Sequence, residues 1–256
     1  MPRHPWNDPR PFALGPTSSD TGCLLVHGFT GSPVEVRPLG EHLARAGYRA
    51  VGVQLPGHGS TVGALKGVTR AHWLAAVQDG RGWLLETCEN VVTIGLSMGA
   101  LLVTIDAARH PPAGLVLLAP AFRIANPLIA LAPLLGWLPG SLPEPEGSGL
   151  VAADGWKRLW HYERRPFHTA RQLAALSSEA WKALPEVSCP ALVVQGALDQ
   201  SLRPEGAREA YERLETQDKR LVWLEGSGHI VTADVEAERV FEEVEGFVSQ
   251  VSGART

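Results

Sequence analysis

A mostly parallel sheet with helices on both faces is the fold class this sequence predicts, and three observations point to it. Six short apolar runs alternate with longer segments of helical periodicity. The runs are apolar throughout instead of alternating with polar residues, as strands buried on both faces are. One region, 121–186, breaks the alternation and is rich in Pro, Trp and Leu, so it reads as an insertion above one edge of the sheet. The core is then expected over residues 1–120 and 187–256, with no internal repeat.

Taken in order, residues 1–20 are rich in Pro and polar residues and read as an irregular arm with room for one short strand. CLLVHG is a buried strand ending at His27. PLGEHLARAG is a helix closed by Gly47, a residue suited to the position just past a helix end. YRAVGVQL is the next strand. RAHWLAAVQDGRGWLLETC follows, with Trp73, Leu74, Val77, Leu84 and Leu85 at helical spacing. VVTIG is a strand and Met98–Arg109 the helix after it. AGLVLLAP is the last strand before the insertion. Beyond it come PALVVQG, a helix over 204–214, the strand KRLVWLEG and a helix over 234–251.

Within the insertion, PLIALAPLLGWLPG crowds large apolar residues together. Leu128, Ile129, Leu134 and Trp137 are the candidates for lining an apolar pocket; the alternative is that they pack the insertion onto the core. WKRLWHYERRPFH carries Trp156, Leu159, Trp160 and Phe167 at near-helical spacing among Lys157, Arg158, Arg164 and Arg165, and reads as a helix with a charged, solvated face. Contact of these segments with a membrane surface is the weaker reading of the same residues.

The chain has 256 residues, 45% hydrophobic and 20% charged, with a net charge of −4. That is enough apolar material for one sizeable core. The acidic balance disfavours nucleic acid as a partner, since phosphate binding needs a concentrated basic face. Cys23, Cys88 and Cys189 are odd in number and far apart, which suits buried free thiols in a reducing compartment. The start, MPRHPWNDPRPF, has no apolar core of a signal peptide. The longest apolar region, 113–138, is interrupted by Pro120, Arg123, Asn126, Pro127 and Pro133, whereas a span needs about 20 nearly unbroken apolar residues. A soluble, cytoplasmic protein is expected, as a monomer or small homo-oligomer. No Cys-His cluster has zinc-ligand spacing, and no Gly-x-Gly-x-x-Gly follows the first strand, so neither metal nor dinucleotide is expected.

The chemistry starts at GLSMG, where the strand VVTIG turns into a helix. Glycines two residues either side of Ser97 allow a turn too sharp for larger side chains. Such a turn forces Ser97 into an exposed, strained position, which is how a nucleophile elbow is built. In open parallel sheets, sites form at the carboxyl ends of the strands. Asp199 follows the strand ALVVQG there, and His229 follows KRLVWLEG. A serine hydroxyl needs a base, His229, which later returns the proton to the leaving group. Asp199 would hold the imidazole in one tautomer and stabilise its cation. The oxyanion of the intermediate needs preorganised donors, each worth about 3–4 kcal/mol. The backbone N–H groups of Met98, opening the helix, and Phe29, in HGFTGS, are the candidates. His27 is expected to brace that loop and His58, in PGHGS, to shape its own. Glu225 is the substitute for Asp199 as partner of His229, while Asp106 lies inside a helix.

The runs LLVHGFTGSP, GLSMG, VVQGALDQSLRP and GSGHIVT, together with PGHG, resemble those of the α/β-hydrolase fold, and more narrowly the small bacterial carboxylesterases and monoacylglycerol lipases. The resemblance runs from about Phe12 over nearly the whole chain, and the ending His-Ile-Val-Thr is its narrower signal. It implies a helical cap at 121–186 and the triad Ser97, Asp199 and His229, with oxyanion donors at Phe29 and Met98. Two departures stand out. FRIANPLIALAPLLGWLPG matches such caps only in character, so no substrate contact is carried over, and the first strands of the fullest form of the fold have no counterpart. The implied activity is hydrolysis of monoacylglycerols or medium-chain esters through an acyl-enzyme, without cofactor, on a small acyl ester or lipid. Thioesterase, C–C hydrolase, peptidase or acyltransferase chemistry uses the same triad, and a ligand-binding receptor can be built on the same scaffold. A dehalogenase would carry Asp at the elbow.

Overall fold

The computed structural model describes residues 8–125, 140–143, 149–152 and 159–253. Its main sheet has seven strands: β1 (Phe12–Leu14), β2 (Thr21–Val26), β3 (Arg49–Val53), β4 (Asn90–Leu96), β5 (Gly114–Leu118), β8 (Ala191–Gly196) and β9 (Lys219–Leu224). They lie in the order β1-β3-β2-β4-β5-β8-β9. Every neighbouring pair is parallel except β1 with β3, where Ala13 faces Val51 antiparallel. The N-terminal arm therefore supplies the short strand expected of it.

Successive residues of the central strands divide between two cores, which is why the runs are apolar throughout. Leu24, Leu115, Leu117 and Val193 join one core with helices α2 (Arg70–Leu85), α3 (Met98–Arg109), α4 (Phe167–Ala183) and α5 (Glu205–Arg213). Leu25, Val116, Leu118 and Val194 join the other with α1 (Arg37–Arg45) and α6 (Ala237–Ser252). The helix ends follow local chemistry. Thr69 and His72 form a reciprocal capping box at the start of α2. Gly253 closes α6 in the left-handed conformation, φ 66°.

Two expectations are corrected. The last helix starts at Ala237, not 234, because the side chains of Asp234 and Glu236 turn back to accept N–H groups of the preceding loop. The basic aromatic segment is not helical over residues 159–166. Arg164–Pro166 forms β7, paired antiparallel with β6 (Ser141–Pro143), and the helical register starts only at Phe167. Trp160 and Tyr162 stack edge to face, 4.8 Å between centroids, instead of sharing a helix face. Between β5 and β8, α4 buries Leu173, Leu176 and Ala180 in the same core as α3. No helix among the described residues is long and apolar enough to cross a membrane.

Candidate active site

The loops after β2, β4, β8 and β9 meet at one rim of the sheet. The turn from β4 to α3 sets Ser97 at φ 56° and ψ −111°, a conformation that side chains other than glycine seldom adopt. The geometry is enforced from below. A Cβ on Gly95 would lie 2.4 Å from the Gly99 carbonyl, and one on Gly99 would lie 2.2 Å from the Val26 oxygen. The two glycines let helix, elbow and β2 approach to backbone distance. The Ser97 N–H donates to the Leu118 carbonyl at 2.9 Å, which ties the elbow to β5.

Ser97 Oγ lies 2.9 Å from His229 Nε2, and His229 Nδ1 lies 2.8 Å from Asp199 Oδ2. Since a carboxylate only accepts, Nδ1 carries the proton toward Asp199 and leaves Nε2 free to accept the serine proton. The Asp199 carboxylate is fixed by three further hydrogen bonds from its own loop and strand. Its Oδ1 accepts the N–H groups of Ser201 and Leu202 at 2.8 and 2.9 Å, and its Oδ2 accepts the amide of Gln195 at 3.1 Å, itself bonded to the Gly196 carbonyl. Burial alone would raise the Asp199 pKa; the facing His229 and these hydrogen bonds outweigh it and hold the carboxyl below its usual range. Burial would lower the His229 pKa; the charge and hydrogen bond of Asp199, with Glu35 adding, raise it above its usual value against the opposing Arg165.

The loop 28–31 after β2 faces the elbow, with a virtual Cβ on Gly28 only 3.4 Å from Ser97 Cβ. Phe29 is the second residue of that loop and lines the pocket with Ser97, and Met98 is the first residue of α3. His27 braces the loop as expected. Leu55 N–H donates to its Nε2 at 3.1 Å, so the ring proton is on Nδ1, which donates to the Gly28 carbonyl at 2.9 Å. Burial first, and then the neighbouring His58, push the His27 pKa well down, so it stays neutral. His58 packs against Phe29 and Trp73, with burial pushing its pKa down to about 4. Both are structural members of the rim.

Sequence reasoning placed Ser97, Asp199 and His229, and the structure brings all three into contact. Glu225 is exposed, and Asp106 is buried in an ion pair with Arg81 at 2.8 Å, so neither reaches the site. Leu128, Ile129, Leu134 and Trp137 lie outside the described residues. The apolar side of the pocket is instead seen at Leu96, Ala121, Ile124, Leu159, Leu173 and Leu202. Its polar side holds Glu35, Arg165 and His161, which the sequence reading passed over. Also missed were Gln195, at the very end of β8, and Asp234, five residues after His229. Their positions at strand and loop ends beside the triad were the only signal available. Among the described residues no cluster of His, Cys, Asp or Glu suits a metal ion.

Known proteins bear on this geometry. The alpha/beta hydrolase family matches residues 23–243. The chain is 35% identical over 236 residues to a thermostable monoacylglycerol lipase of Bacillus sp. (strain H-257), covering 91% of this chain and 92% of that protein. It is 29% identical over 244 residues to a carboxylesterase of Bacillus subtilis (strain 168), covering 95% and 97%. Among solved structures, one from work on metagenome-derived lipolytic enzymes superposes with a TM-score of 0.88 at 31% identity, over 95% of this chain and 98% of that one. With its parallel sheet, its elbow and a family match over most of its length, this chain belongs to the alpha/beta hydrolase family.

Proposed function

We propose that this protein cleaves carboxylic esters through an acyl-enzyme intermediate, with Ser97 as nucleophile, His229 as general base and acid, and Asp199 as the group that orients and stabilises the imidazole. The observation that carries the reading is the unbroken relay from Ser97 Oγ to His229 Nε2 at 2.9 Å and from Nδ1 to Asp199 Oδ2 at 2.8 Å. In the first step Oγ attacks the ester carbonyl and its proton moves to Nε2. The oxyanion is met by the N–H groups of Phe29 and Met98, the latter at the positive end of α3. Collapse expels the alcohol, which takes the proton from His229, and the acyl group stays on Ser97. Water then repeats the sequence and frees the acid.

Monoacylglycerols and medium-chain acyl esters are the substrates of choice. The Bacillus relatives named for monoacylglycerol lipase and carboxylesterase activity support this, as does the apolar wall beside Ser97. Residues 121–186 act as the cap of that pocket; the presence of Ala121, Ile124 and Leu159 in its lining favours the assignment. The three buried free cysteines suit a cytoplasmic setting.

The test is initial rates on p-nitrophenyl esters of two to sixteen carbons, then on monoacylglycerols, for wild type and Ser97→Ala. Hydrolysis with a chain-length optimum, lost in the variant, is expected. An inert wild type, or an equally active Ser97→Ala, rejects the reading.

A further inference from the structure

We propose that Glu35 is a positioning residue for ester hydrolysis, a buried clasp that holds the oxyanion loop and the histidine loop in register. The proposal rests on the triad reading above. Glu35 ends the single turn Pro33–Glu35 that follows the oxyanion loop, and only 6% of it is exposed. Its Oε2 accepts the N–H of Gly28 at 2.8 Å. That bond fixes the residue immediately before Phe29, and so the direction of the Phe29 N–H. The loop is wrapped closely around the carboxylate. A Cβ on Gly31 would lie 2.0 to 2.5 Å from its three carboxyl atoms, and one on Gly28 would lie 3.2 Å from Oε2. Both glycines of HGFTG thus stand where this carboxylate needs room.

The same residue reaches the other loop through its backbone. The Glu35 carbonyl accepts the hydroxyl of Thr232, a fully buried side chain three residues after His229. One residue therefore links the loop that would bind the oxyanion to the loop that carries the base, across 197 positions of sequence. Its charge acts on the reaction as well. When the serine proton moves to Nε2, the imidazolium that forms faces Asp199 from the loop after β8 and Glu35 from the turn after β2. Arg165 of β7 opposes them, His161 lines the same pocket, and Asp234 of the histidine loop sits at the Gly228 N–H. Glu35 thus favours the ion pair of the transition state on the imidazole side, while its hydrogen bond shapes the oxyanion side.

The experiment measures kcat and KM against pH on p-nitrophenyl butyrate for wild type, Glu35→Gln, Glu35→Ala and Thr232→Val, with thermal unfolding of each. Glu35→Gln keeps an acceptor for Gly28 and loses the charge. Its acid limb of kcat/KM is expected at lower pH than in wild type, with kcat reduced a few-fold and KM within about twofold. A role in stability alone would not move that limb. Glu35→Ala loses the acceptor too and is expected to drop kcat a further factor of about ten, since catalysis is steep in donor position. Thr232→Val removes one hydroxyl and is expected to lower kcat a few-fold with an unmoved limb. An unchanged limb in a folded Glu35→Gln overturns the proposal. Should that variant not fold, an unchanged kcat in Thr232→Val overturns it and a reduced kcat supports it. Ser97→Ala in the same series separates the two readings: if it stays active, the triad itself is rejected, whatever Glu35 does.

Discussion

The turn that carries Ser97 is made by residues within a few positions of it, whereas the loop that carries His229 is held by distant parts of the chain. Gly95, Ser97 and Gly99 form the elbow by their own backbone geometry, pressed on the end of β2 and tied to β5 by one backbone hydrogen bond, Ser97 N–H to Leu118. The histidine loop takes its contacts from farther away. Asp199 orients the ring, and the Gly149 carbonyl accepts the N–H groups of His229 and Ile230 at 2.7 and 2.9 Å. Asp234 accepts Gly228 N–H at 2.6 Å and the N–H groups of Val151 and Ala152 at 3.0 and 2.8 Å. The nucleophile is positioned by backbone sterics, the base by side chains and the segment 149–152. Damage to the first should be local and severe. Damage to the second should be graded, and should couple residues 149–152 to the chemistry.

The sharpest way to break this contrast is Gly99→Ala. The added methyl would fall 2.2 Å from the Val26 oxygen, which ends β2, and 2.8 Å from that of His27, the next residue. Neither can give way without moving a central strand, so the cost should reach or exceed the ~1–3 kcal/mol usual for overpacking. A shift of the elbow by about 1 Å is expected to cost at least a hundredfold in kcat/KM. Thermal unfolding and ester hydrolysis check both. A variant that unfolds and turns over like wild type would mean the elbow is not held by its glycines.

The second expected effect is smaller and lies on the other loop. Asp234→Ala removes the acceptor shared by Gly228, Val151, Ala152 and Val235. Losing an acceptor for buried donors costs about 1–3 kcal/mol. With His229 less firmly seated, kcat should fall by roughly tenfold. Asp234→Asn, which keeps one acceptor oxygen, should lie between. Urea midpoints and kcat measured side by side decide it. Unchanged kcat in Asp234→Ala would show that the histidine loop supports itself, as the elbow does.

The same contrast explains what could be read without coordinates. The strands, the elbow and the order Ser97, Asp199, His229 were legible because each depends on a short run: an apolar stretch, two glycines at a fixed spacing, a polar residue at a strand end. Contacts between distant runs leave no such mark. Nothing in SGLVAADG announces that Gly149 and the amides after it will seat on the histidine loop, and nothing in SPVEV announces a carboxylate beneath Gly28. Residues 159–166 depart from the expected helix for a related reason. Aromatic and basic residues at near-helical spacing imitate a helix, but Arg164–Pro166 finds a partner strand at Ser141–Pro143, and that pairing wins over local periodicity.

A further expected effect is one of pH, spread over more than two pH units, and it sets the two sides of the rim against each other. On the oxyanion side, His58 is buried, donates from Nδ1 to the Pro56 carbonyl at 3.2 Å and has its pKa pushed by burial from 6.5 down to about 4. Between those values the unfolded chain binds a proton that the folded one refuses. The stabilising contribution is therefore complete above about 6.5 and lost as pH falls toward about 4, on the order of 3 kcal/mol over the interval. His27, pushed down by burial and by His58, acts in the same direction. His229 acts in the opposite one: its raised pKa gives a contribution present below the unfolded value and lost as pH rises through the folded one. Urea unfolding at a series of pH values from 8 to 4 should accordingly show stability declining toward acid. The decline should be shallower in His58→Gln, where one of the groups that refuse a proton is gone. If the slopes coincide, His58 takes up its proton without cost in the folded state, and the two sides of the rim do not differ in the way their surroundings require.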